Sequence, residues 1–207
     1  KSIFEEAWED KSVALFIPGT SIKGVLRHYC SRILQALGHS NQAVDALFGY
    51  SIEKTNESRK GRVMEDEVYF DKSCTQEEQP RIRVDRFTGG AINGALFQDH
   101  PVRKGKGKEL VFRLRMTVKN CSDSEAGLVL LLVKDLMTGQ ITLGANRTIG
   151  YGRIKGNSVA VQYHGESYGI DGTGKVTEGE STKLEVLVQA LHQSTEDTML
   201  AKEGAHE

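Results

Sequence analysis

Residues 142–156 read Thr-Leu-Gly-Ala-Asn-Arg-Thr-Ile-Gly-Tyr-Gly-Arg-Ile-Lys-Gly, and groups suited to holding an anion are concentrated there. Gly144, Gly150 and Gly152 free the backbone to turn and to come close to a ligand. Successive N–H groups in such a loop can converge on one anion. Arg147 and Arg153 add guanidinium groups that match phosphate oxygens, Asn146 adds a polar side chain, and Tyr151 offers a flat face for a base or sugar. No Gly-Lys-Ser/Thr closes the loop, so it is not a P-loop. The stretch before it reads as helix and the stretch after it as strand, the reverse of a dinucleotide-binding turn. The chemistry points to a polyanion that is not a dinucleotide; the plainer alternative is a glycine-rich hairpin with solvated arginines.

Further cations stand at spacings that suit a phosphate backbone. Lys23 and Arg27 lie one helical turn apart, just after the Pro18-Gly19-Thr20-Ser21 turn, where both can meet a phosphate near a helix N-terminus. Arg81, Arg83 and Arg86 lie in a strand-like stretch, with Asp85 between them as a structural partner for one of them. Formal net charge is only −1 over 207 residues. Basic groups nevertheless cluster at 81–86, 103–119 and 147–155, and acids at 5–10, 65–71, 77–78 and 178–207, as on a basic face of an acidic body. Cys30, Cys74 and Cys121 fit neither a disulfide framework nor a zinc site and read as reduced thiols of a cytoplasmic protein. No apolar run is long enough to span a membrane. The chain starts at Lys1 rather than Met, as a trimmed or fused segment would. His28 and His100 have no nucleophile or carboxylate at catalytic spacing, and Glu65-Asp66-Glu67 reads as a solvated acidic turn ahead of a metal cluster.

The elements that must position these groups follow from hydrophobic period. Val13–Ile17 reads as a short strand. Ile22, Val25, Leu26, Tyr29, Ile33 and Leu37 recur at helical spacing after a Thr20-Ser21 cap, and Gly38 stops the helix. A short helix is expected over 41–47, a polar loop or disordered insert over 50–61 and a strand from Gly61. Arg81–Asp85 and the glycine-rich run Thr88–Phe97 read as strand and hairpin, and Leu110–Lys119 alternates as a half-buried strand. Ser122–Ser124 caps a leucine-rich helix to Met137, a strand follows over Arg153–Tyr163, and 165–181 reads as a glycine-rich linker to a helix near Lys183–His192. The expected fold is α+β, a modified ferredoxin-like or RNA-recognition arrangement of antiparallel strands with helices on one face. It comprises a core over 1–164 with a hairpin insertion at about 86–108, and an extension over 165–207 within the same domain.

Three separated stretches resemble the RAMP superfamily of CRISPR-associated proteins. Ile17-Pro18-Gly19-Thr20-Ser21-Ile22-Lys23-Gly24-Val25-Leu26-Arg27 is similar to its "IPGSSLKGxxR" helix start, and Leu47-Phe48-Gly49 with Gly61-Arg62-Val63 to its "LFG…GR" signature. Val84-Asp85-Arg86-Phe87-Thr88-Gly89-Gly90-Ala91, running on to Gly94-Ala95-Leu96-Phe97, resembles the "IDRxTGxA…GALF" segment of the backbone subunit of type III effector complexes. The resemblance implies a subunit that multimerises along a guide RNA (crRNA), pairs it with target RNA beside other effector subunits, and projects a thumb hairpin. It implies RNA contacts at Ser21, Lys23, Arg27, Arg81, Arg83, Arg86, Thr88, Asn146, Arg147, Tyr151 and Arg153, with Gly144, Gly150 and Gly152 forming the loop. It also implies metal-dependent cleavage of target RNA by an aspartate ahead of the first helix, for which Asp10 in Glu9-Asp10-Lys11-Ser12-Val13 is the closest match to the family's "DxPV", with Ser12 in place of its proline, and with a divalent ion (Mg or Mn) as cofactor. Two alternatives are an architectural subunit that does not cut and a guide-RNA-processing endoribonuclease using His28 as base.

Overall fold

The computed structural model of the chain describes residues 15–52, 55–71, 73–105 and 108–203, the last nine of these as backbone alone. The elements run β1 (Phe16–Ile17), α1 (Gly19–Ala36), α2 (Gln42–Phe48), β2 (Gly49–Ile52), β3 (Glu57–Lys60), β4 (Val63–Glu65), β5 (Val68–Tyr69), β6 (Cys74–Gln76), β7 (Gln79–Val84), β8 (Ala91–Asp99) and β9 (Val102–Lys104). They continue with β10 (Met116–Val118), α3 (Asp123–Met137), β11 (Ser158–Tyr163), β12 (Glu166–Asp171), β13 (Val176–Glu178) and α4 (Ser181–Glu203). The fold is α+β as expected, and among the described residues its strands form six small antiparallel sheets rather than one large one. The chain divides into two compact units.

The larger unit, Gly19–Glu65 with Met116–Glu207, holds most of the core. Ile22, Leu26, Tyr29, Cys30 and Leu34 line one face of α1 and are buried, as the helical spacing requires. α1 packs on α2, α3 and β4. α3 starts with a capping box: Glu125 N–H donates to Ser122 Oγ at 3.4 Å, and Ser122 N–H donates to Glu125 Oε2 at 3.0 Å. α3 and α4 pass in backbone contact at Gly127, where a Cβ would lie 2.2 Å from the Leu187 carbonyl oxygen.

The stretch expected as a linker is instead ordered sheet. β12 pairs with β11 and β13 pairs with β12, and Tyr168 joins Ala126, Leu184 and Leu187 in a buried cluster. Gly165, Gly172 and Gly174 sit in turns between its strands, and Asp171 Oδ1 closes one turn by accepting from the N–H groups of Thr173 (2.9 Å) and Lys175 (3.0 Å). Turn chemistry repeated at short intervals has the same composition as a linker. The polar run expected as a loop over 50–61 likewise contains the β2–β3 hairpin, wet on nearly all its positions.

The smaller unit comprises Lys1–Pro18 and Asp66–Arg115. Its sheets are the two-stranded pairs β1–β5, β6–β9 and β7–β8, and Val68 and Cys74 are its buried apolar side chains among the described residues. From Leu110 to Val118 half-buried and exposed residues alternate as predicted, yet only Met116–Val118 forms a ladder, with β4. Alternation reports which face is covered; it does not supply a neighbouring strand to bond to.

Candidate nucleic-acid interface

The glycine loop is rooted by an antiparallel bridge between Thr142 and Arg153 and by Leu143 N–H donating to the Gly152 carbonyl at 2.8 Å. Ile141 and Leu143 are buried, and from Gly144 to Gly150 the chain lies in solvent except for a half-buried Asn146. Only glycine fits at 152, where φ is +71° and a Cβ would fall 1.8 Å from the Leu143 carbonyl oxygen. At the tip, Arg147–Ile149 makes a single 3-10 turn between two left-handed residues, Asn146 and Gly150. The N–H groups of Ile149, Gly150 and Tyr151 turn inward onto the carbonyls of Asn146 and Arg147. Those of Gly144, Ala145, Arg147 and Thr148 meet no acceptor among the described residues, and Arg147 is exposed with no acidic partner among them. Arg153 behaves differently. Its Nε donates to the Gly139 carbonyl at 3.0 Å, at the C-terminal end of α3 where a cation is favoured.

Lys23 and Arg27 of α1 also turn to the protein. Lys23 Nζ donates to the Val63 carbonyl at 2.8 Å. Arg27 donates to the Gly49 carbonyl and, at 2.5 Å, to Asp45 Oδ1, tying α1 to the end of α2. Ser21 is exposed in the first turn. Tyr29, buried on the same helix, accepts from Thr142 N–H at 3.3 Å and so links α1 to the foot of the loop. Beside Lys23, burial raises the Glu65 carboxyl above its ordinary pKa, with Lys23 pulling the other way.

Arg62 was not singled out as a site, and the structure makes it a hub. Its guanidinium donates to the carbonyls of Ala46 (3.2 Å), Lys119 (3.3 Å) and Asn120 and pairs with Glu125. The signature around it has a steric cause. A Cβ on Gly61 would lie 2.4 Å from the Phe48 carbonyl carbon, and one on Gly49 would lie 2.5 Å from the Arg59 carbonyl oxygen. Leu47-Phe48-Gly49 and Gly61-Arg62 are therefore two strands of chain that touch backbone to backbone. The motif itself was legible; its structural role was not.

In the smaller unit, Arg81 Nε lies 2.6 Å from Asp99 Oδ2 across β7–β8, whereas Arg83 and Arg86 are exposed. Asp85 is a loop former rather than an arginine partner. Its Oδ1 accepts from Phe87 N–H and Thr88 N–H, both at 2.8 Å, and those bonds hold its pKa below the ordinary value. Thr88 is exposed, and Phe87 beside it is 95% exposed at the tip of the ribbon. Ile82, Val84 and Leu96 are also exposed along the two strands. Asp10 lies outside the described residues, and among those described no three potential ligands gather to hold a metal. His28 is exposed, edge-on to Tyr29, with no carboxylate bonded to it among the described residues.

The family model of the RAMP superfamily matches residues 5–155. The chain belongs to the RAMP superfamily. The match takes in α1, the Gly49–Gly61 contact, the β7–β8 ribbon and the glycine loop of this RAMP chain, and ends before β11. Among solved structures it is similar to a type III-B Cmr-beta complex bound to cognate target RNA, at 15% identity and a TM-score of 0.46. That match covers 77% of this chain and 48% of the other, so the RAMP chain spans about half the length of the structure it matches. No curated protein matches it. Among the described residues no helix is long and apolar enough to cross a membrane.

Proposed function

We propose that the chain is an RNA-binding backbone subunit of a type III CRISPR effector, holding the guide RNA by its phosphates and presenting it to target RNA alongside other subunits. One observation carries the reading: in a RAMP chain, the loop from Gly144 to Gly150 presents N–H groups and the Arg147 guanidinium to solvent with no protein acceptor or acid beside them among the described residues. Such donors suit phosphate oxygens and read no base sequence. Asn146, Tyr151 and Ser21 belong to the same unit, and Arg83, Arg86 and Thr88 are the exposed polar groups at the ribbon tip of the other. Lys23, Arg27, Arg81 and Arg153 would meet RNA only with donors left over from their protein contacts. The assignment to type III rests on the Val84–Phe97 segment. The test is the salt dependence of RNA affinity. Arg147→Ala should lower the slope of log K against log salt by about 0.7 for a single strand, with affinity lost equally for all sequences. An unchanged slope would remove the loop from the interface.

Target cleavage is the finer part of the proposal and falls to Asp10, with Mg or Mn, on the match of Glu9–Val13 alone. Asp10→Ala should assemble and bind target RNA as before and cut it a hundredfold or more slowly, about 3 kcal/mol of barrier. Full cleavage by that variant, in an assembly whose other subunits are inactive, would exclude the residue. No cleavage by the unaltered chain leaves the architectural reading.

A further inference from the structure

We infer that Arg32 is a phosphate contact of this chain, positioned by Tyr29 beside the foot of the Gly144–Gly152 loop. The inference rests on the RNA-binding reading above and adds to it a residue outside the loop. Arg32 lies on the exposed side of α1, with its guanidinium carbon 5.3 Å from the centre of the Tyr29 ring. That is a cation–π distance, and a guanidinium placed over a ring keeps its N–H edge free to donate outward. No acid among the described residues pairs with it.

The same ring fixes the loop. The Tyr29 hydroxyl accepts from Thr142 N–H at 3.3 Å and lies 3.4 Å from Thr142 Oγ1, and Thr142 is bridged to Arg153 where the loop leaves the core. One buried tyrosine therefore carries a free cation on its face and the foot of the anion loop on its hydroxyl. The other arginines close to this framework are engaged. Arg27 bonds Gly49 and Asp45, Arg62 bonds three carbonyls and Glu125, and Arg153 bonds Gly139. An RNA backbone offers its phosphates in series, so a strand held at Arg147 has a second cation in the same unit that pairs with no acid among the described residues.

The plainer reading is a solvated arginine on a helix face, and the experiment separates the two. The full chain is titrated with single-stranded polyuridine RNA over a range of salt. Arg32→Ala should lower the slope of log K against log salt by about 0.7 without moving the thermal midpoint, and Arg32→Lys should recover most of that slope. Arg62→Ala should do the opposite, lowering the midpoint and leaving the slope. A slope unchanged by Arg32→Ala while Arg147→Ala lowers it overturns the inference and leaves the RNA-binding reading standing. If neither variant moves the slope, both fail together.

Discussion

At the scale of the residue, the arginines divide by what their guanidinium groups already touch. Arg62 satisfies three backbone carbonyls and the Glu125 carboxylate in a partly buried place. Replacing it with methionine keeps most of the bulk and strands those acceptors, so Arg62→Met should cost about 3 kcal/mol of stability, read as a lowered urea midpoint. A loss under about 1 kcal/mol would mean that water takes over the acceptors. Glu65 makes the converse case. Its Oε1 is buried without a hydrogen bond among the described residues, and desolvation raises its pKa against the pull of Lys23. Stability carried by the neutral acid is full below the ordinary carboxylate pKa and is lost as pH rises through the raised folded value. Glu65→Gln should therefore melt higher than the parent near neutral pH, with the gap closing as the solution is made acid. A gap independent of pH would show that charge is not its cause.

At the scale of the element, two glycines in neighbouring motifs have opposite meanings. Gly61 lies against the Phe48 backbone, where an added Cβ would meet carbonyl atoms that cannot swing aside. Gly24, inside α1, has nothing within 4 Å of where its Cβ would stand. Gly61→Ala should lose about 2 kcal/mol or more, and Gly24→Ala should gain about 1 kcal/mol by helix propensity. Thermal melts of the two variants moving in the same direction would contradict this account of the motifs. The helices were legible because α1 and α3 carry uninterrupted apolar periods and α3 a Ser122–Glu125 cap. β12 and β13 were not, since their short runs lie between turn glycines that look like linker. The long strand expected over Leu110–Lys119 shortened to Met116–Val118 because period shows a covered face and not a bonding partner. Among the candidate site residues, the type of each cation could be read from sequence, but its partner could not. Nothing local distinguishes Arg147, open to solvent, from Arg153, folded onto Gly139.

At the scale of the whole molecule, the RAMP match stops at residue 155, and the chain goes on to build the β11–β13 sheet and α4 onto α3. That addition completes the hydrophobic cluster around Tyr168 and Leu187 in the larger unit. The smaller unit contributes two-stranded ribbons with apolar side chains in solvent, Phe87 foremost. A ribbon of two strands is marginal alone in water, and exposed apolar groups on it suit an element that gains its partner on assembly. Free donors on a glycine loop and exposed side chains on a ribbon both fit the proposed role, in which RNA and other subunits complete the chain. The most direct measurement of that proposal is the nucleic acid that accompanies the chain when it is purified under low salt from cells that also express type III effector subunits. The account predicts a short RNA of uniform 5′ end in stoichiometric amount, lost as salt is raised; protein free of RNA, or carrying only heterogeneous cellular fragments, would contradict it.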